Sequence, residues 1–136
     1  MKTKNELMKT FIKNLFLLPA LIAGLNLIPA GRVTAQTFTN LHSFTLLNNY
    51  TNSDGARPYA GLILSGNTLY GTAFYGGSSG NGTVFAVHTN GTGFTNLHSF
   101  TAFSVLSSTN SDGANPEAGL ILSGNTLYGT AYGGGS

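Results

Sequence analysis

The stretch "NSDGARPYAGLILSGNTLYGTA", Asn52 to Ala73, returns as "NSDGANPEAGLILSGNTLYGTA", Asn110 to Ala131, changed only at Arg57/Asn115 and Tyr59/Glu117. A shorter run, "FTNLHSFT", precedes each copy, at Phe38 to Thr45 and at Phe94 to Thr101. The short runs are 56 residues apart and the long ones 58, so two residues are gained between Thr101 and Asn110, where the reading places a loop. A chain that rewrites itself at a fixed period is built from a repeated unit.

Four strands are expected in one period: Gly61 to Ser65, Thr68 to Tyr75, Thr83 to His88 and Phe94 to Thr101. Ser65-Gly66-Asn67 joins the first pair, and "TNGTG" with its Asn90-Gly91 joins the second, because these residues tolerate the positive φ of tight hairpins. Asp54-Gly55 and Arg57-Pro58 form the connection between units, the aspartate bonding backbone two residues on and the proline restricting the residue before it. "GLIL" and "TVFAV" lack a clean polar face, which predicts a sheet covered on both sides. Gly71-Thr72-Ala73 predicts a close approach of backbones. The fold class expected is therefore all-β, with antiparallel four-stranded blades at a period just above the roughly 50 residues of kelch repeats, as in a partial β-propeller. A β-solenoid is disfavoured by the long period, and a β-sandwich by the near-identity of the units. Phe38 to Thr45 stands as a last strand ahead of the first full unit, as where a ring closes on its N-terminal strand. The second copy halts at "AYGGGS", about 1.7 repeats in all, so a longer parent protein and further repeats of the same chain are expected partners.

The chain's formal charge of +2 suggests an anionic partner until its distribution is read. Lys2, Lys4, Lys9, Lys13 and Arg32 all lie in the first 32 residues; beyond them Arg57 faces Asp54, Asp112 and Glu117, a net −2. One cation is too few for phosphate binding, which excludes nucleic acid as partner. The early lysines, the sixteen-residue run "LFLLPALIAGLNLIPA" and Val33-Thr34-Ala35 read as a secretory signal over 1–35, cleaved after Ala35. The apolar run is short of the about twenty residues of a membrane span and is broken by Pro19, Gly24, Asn26 and Pro29, so no stable membrane insertion is expected after cleavage. The remaining region, 36–136, has no cysteine and so no disulfide to hold it, and its thirteen Phe and Tyr among many Gly, Ser, Thr and Asn favour short strands over helices. A secreted or cell-surface location follows.

The motif "DGAxPxAGLIxSGNTLYGTAxxGG" followed by "GNGTVF" resembles the GloVer tandem repeat of the choice-of-anchor repeat proteins of bacteria. The resemblance rests on Asp54-Gly55-Ala56, Pro58, Gly61-Leu62-Ile63, Asn67, Leu69 to Thr72, Gly76-Gly77 and Gly82 to Phe85, and again on Asp112 to Thr130. It implies an exported bacterial protein of many repeats, often ending in an anchoring segment, with no catalytic residues to carry over. This chain departs from it in having fewer than two repeats and no terminal anchor. Gly76-Gly77 also looks like kelch, but the tryptophan usual there is missing.

No catalytic, cofactor or metal set is legible. His42 and His98 occupy equivalent places, which assigns them to packing rather than to one reaction, and His88 sits at a strand end. Asp54 and Asp112 lie in separate repeats and read as turn formers. "NSDG" at Asn52 lacks the flanking ligands and closing glutamate of a calcium loop. No serine stands in a nucleophile elbow. Asn49, Asn81 and Asn90 open Asn-x-Thr sequons, of which Asn81-Gly82 and Asn90-Gly91 read as turns. Specificity is expected where the copies differ, Arg57 and Tyr59 against Asn115 and Glu117 and Phe74-Tyr75 against Tyr132-Gly133, or on loops of one rim: Arg57, Tyr59, Tyr75 and Glu117 are the candidate binding surface, for an extracellular glycan or protein. Two functions follow, a non-catalytic binding or structural module, and a secreted carbohydrate-active propeller enzyme whose active residues lie in other blades.

Overall fold

The computed structural model describes residues 36–104 and 106–135, so the signal-peptide reading of 1–35 lies outside the described residues. The chain divides into two units, Met1–Thr37 and Phe38–Ser136. Of the first only residues 36 and 37 are described, both exposed.

The second unit is all-β among its described residues. Strands β1 (Ile63–Ser65), β2 (Thr68–Ala73), β3 (Thr83–His88) and β4 (Thr95–Ser99) form one antiparallel sheet in serial order, and β5 (Ile121–Ser123) pairs with β6 (Thr126–Tyr128) in a second. The four expected strands are thus all present and pair as neighbours. Gly66, at φ 58°, turns β1 into β2 so that Ser65 stands opposite Thr68, and Ile121, Leu122 and Ser123 repeat the same register against β6. Between β3 and β4 the Asn90 side chain accepts from the Thr92 amide while Gly91 takes φ 82°. The loop expected between Thr101 and Asn110 is also there, closed by the Ser104 amide donating to the Thr109 carbonyl.

Strand ends differ from the expectation at Phe74 and Tyr75. Both leave β2's ladder with β3, because "DGAR" reaches across: Tyr75 exchanges backbone bonds with Ala56, and the Phe74 amide donates to the Arg57 carbonyl. Ala114 bridges Gly133 in the same way one repeat later.

The core lies on β2 and β3. Phe85, Ala86 and Val87 are consecutive and all buried; successive strand residues point to opposite faces, so both faces of β3 are covered. The companion expectation for "GLIL" fails, since Leu62 and Leu64 are 48% and 61% exposed. β1 is an edge strand, paired with β2 alone among the described residues. At Gly71, directly opposite Phe85, what comes close is a ring and not a backbone: a Cβ there would stand 2.7 Å from Phe85 Cζ and would also strike Leu62 Cδ2.

The two repeats touch through a defined seam. Asn115 donates its backbone amide to the Asn81 carbonyl and its side-chain amide to the Phe74 carbonyl, and the Thr72 hydroxyl donates to the Ala118 carbonyl. Pro116 and Leu120 are buried at this seam. Asn115 and its counterpart Arg57 both hold positive φ, 56° and 57°, on the residue before a proline. Asparagine tolerates that region, so Asn115 serves both the backbone and the seam. Replacing Asn115 by Ala removes the side-chain bond and leaves an alanine at positive φ; a loss of about 2 kcal/mol is expected in urea denaturation.

Candidate functional site

Each repeat contains one polar knot whose parts lie far apart in sequence. Asp54 is 5% exposed. Its carboxylate accepts from the Thr45 amide at 2.9 Å, from the Thr45 hydroxyl and from His42 Nε2 at 3.0 Å. Asp112 receives the same three donors, the Thr101 amide, the Thr101 hydroxyl and His98 Nε2 at 2.8 Å. Beside each aspartate an asparagine ties four backbone groups. Asn52 Oδ1 accepts from the Gly55 and Gly77 amides, and Nδ2 donates to the Thr45 and Gly55 carbonyls. Asn110 makes the same four bonds with Gly113, Gly135 and Thr101.

This corrects the turn reading of Asp54 and Asp112. The turn is closed by Asn52 and Asn110, which leaves the aspartate free to reach back to the "HSFT" run of the preceding segment. Burial acts to raise the Asp54 pKa, but the hydroxyl and amide of Thr45 and the ring of His42 favour the anion more, and the carboxyl sits below its ordinary 3.8. Asp112 is lowered in the same way, burial again opposing Thr101 and His98.

The geometry is unsuited to nucleophilic catalysis. In a hydroxyl–imidazole–carboxylate relay the hydroxyl bonds the imidazole. Here the Thr45 hydroxyl and His42 Nε2 both donate to the same carboxylate, so the ring takes no proton from the threonine. His42 instead lies flat on Phe94, centroids 3.6 Å apart, in keeping with a packing role. His88 meets the Thr68 hydroxyl across the β2–β3 ladder at 3.2 Å. Among the described residues no group of three or more His, Cys, Asp or Glu could hold a metal ion, and no helix is long and apolar enough to cross a membrane.

Three of the four expected binding residues, Arg57, Tyr59 and Tyr75, gather on one aromatic cluster. The Arg57 guanidinium stands 4.9 Å over the Tyr75 ring, Tyr75 packs edge-on against Phe74 at 4.6 Å, and Tyr59 meets Phe74 at 5.7 Å. Phe74 also reaches Tyr132 of the second repeat at 6.4 Å. Glu117 is not in this contact chain; it lines a shallow cleft with Tyr132 and Thr130. The sequence marks Phe74-Tyr75 against Tyr132-Gly133 as a difference between the copies, but it does not mark Phe74 as the hub that joins them. Tyr59 and Tyr132 are 61% and 78% exposed, so the cluster offers two open rings across the seam.

No curated protein and no solved structure matches this chain. The family model of the Gloeobacter/Verrucomicrobia repeat matches residues 30–136, which span both knots, both hairpins of the complete unit and the seam. The match covers most of the chain, and this protein belongs to the Gloeobacter/Verrucomicrobia repeat family.

Proposed function

We propose that this chain is an exported, non-catalytic repeat scaffold whose units are propeller blades and whose aromatic seam binds a glycan. The observation that carries the reading is the pair of open rings, Tyr59 and Tyr132, joined through Phe74 across two repeats. An exposed tyrosine presents a flat apolar face with a polar tip, matched to the C–H face of a pyranose with its hydroxyls at the edge. Arg57 supplies donors over Tyr75, and Glu117 supplies acceptors in the cleft that it shares with Tyr132. The serial four-stranded sheet and the docking of the second repeat on the first support the blade architecture. The leader of lysines, apolar run and Val33-Thr34-Ala35 supports export and a cell-surface or extracellular location.

Affinity electrophoresis in gels cast with cellulose, xylan, chitin or pectin derivatives tests this. Retardation by at least one polymer is expected, weakened about tenfold or more by Tyr59→Ala with Tyr132→Ala. Migration unaffected by all the polymers, or retardation untouched by the double change, overturns it.

A further inference from the structure

The identical runs at Phe38 to Thr45 and Phe94 to Thr101 are held by their aspartates in the same way, through His42 and Thr45 to Asp54 and through His98 and Thr101 to Asp112. Their neighbours differ. In the later run Thr95, Asn96, His98 and Ser99 pair with Ala86, Phe85, Val84 and Thr83 of β3. The counterparts Thr39, Asn40, His42 and Ser43 pair with no strand among the described residues.

A cleft repeats the same asymmetry. Behind the early run an apolar cleft of about 530 Å³ opens between Phe44, Pro58, Leu62 and Val87. One repeat on, the corresponding cleft under Phe100, Pro116 and Leu120 has Thr72 and Val84 of the preceding unit as its opposite wall, and only about 150 Å³ remains. Leu120 is accordingly 6% exposed, whereas its counterpart Leu62 is 48% exposed. Sequence, anchor and the Phe, Pro and Leu of the lining are shared; the β2–β3 pair of a preceding unit is what the early site lacks among the described residues.

We propose that residues 38–45 are an acceptor strand for a β3-type segment from a further copy of this repeat. The incoming strand runs antiparallel, its Val84 counterpart opposite His42 and its Thr83 counterpart opposite Ser43, as in the β3–β4 register. Its valine enters the cleft beneath Pro58 and Leu62. The occupant is identified by the run it must match: an edge identical to β4 in residues and anchoring selects the strand that β4 selects. This inference is independent of the glycan reading.

The test is a titration of the full chain with a labelled peptide, GNGTVFAVHTNG, carrying the sequence of Gly80 to Gly91. Saturable anisotropy is expected, at least tenfold weaker for a scrambled peptide and for the peptide with Val84→Asp. A second peptide with a benzophenone at the Val84 position reports location without altering the protein. Cross-links to residues 38–45 and 58–62, mapped by mass spectrometry, support the proposal. Cross-links confined to the β6 edge, or the absence of saturable binding, overturn it.

Discussion

Gly55→Ala is expected to cost about 4 kcal/mol and to remove most of the soluble folded protein, while Gly66→Ala costs about 1 kcal/mol. Both glycines hold positive φ, 100° and 58°, so conformational strain alone does not separate them. Space does. A Cβ on Gly66 meets nothing, whereas one on Gly55 would stand 2.7 Å from the Cβ of Ala73 and would strike the Thr83 hydroxyl. Ala73 and Thr83, the last pair of the β2–β3 ladder, are both fully buried and cannot yield. Their backbones are also paired with each other, so relaxing one drags the β2–β3 ladder. Urea midpoints of the two variants check the ranking. Equal losses would show that Gly55 is required for its φ only.

Asp54→Ala is expected to cost about 3 kcal/mol, and Asp112→Ala about half as much. Removal of the carboxylate leaves the Thr45 amide, the Thr45 hydroxyl and His42 Nε2 without their acceptor. The difference between the two sites follows from solvent: the Asp54 side chain is 7% exposed and that of Asp112 22%, so water replaces more of the lost bonding at Asp112. The same carboxylates set a pH dependence. Because their folded pKa values lie below the ordinary 3.8, the folded state binds fewer protons than the unfolded chain, and their contribution is complete well above that value. It declines as pH falls from about 5 through 3.8 toward the lowered folded values. Denaturation midpoints measured from pH 7 to pH 3 should therefore fall for the natural protein and fall less for Asp54→Ala with Asp112→Ala, the two curves converging in acid. Parallel curves would mean that the aspartates are not the groups being titrated.

The period, four strands and their serial pairing were legible because hairpins are decided locally. Gly66 and Asn90-Gly91 permit the turns, and Thr, Val, Phe and Tyr favour the extended backbone between them. The knots were not legible. Asn52 and Asp54 are both short polar residues within three positions of Gly55, and either can close a turn. Which of them closes on Gly55 and which accepts the Thr45 amide and hydroxyl depends on where the "HSFT" segment crosses, and the residues themselves do not state that crossing. The candidate surface was half legible for a related reason: Arg57, Tyr59, Phe74 and Tyr75 marked themselves by differing between copies, but Phe74 became the hub of the others only when "DGAR" drew the end of β2 away from β3.

What the residues alone determined is thus an antiparallel unit repeated at 56 to 58 residues, since turn chemistry and strand propensity act between near neighbours. What only the tertiary structure decided is the partner of each buried polar group and the joining of aromatics across the seam. A carboxylate or an amide bonds whatever donor the folded chain brings within about 3 Å, and that proximity is a property of the whole sheet.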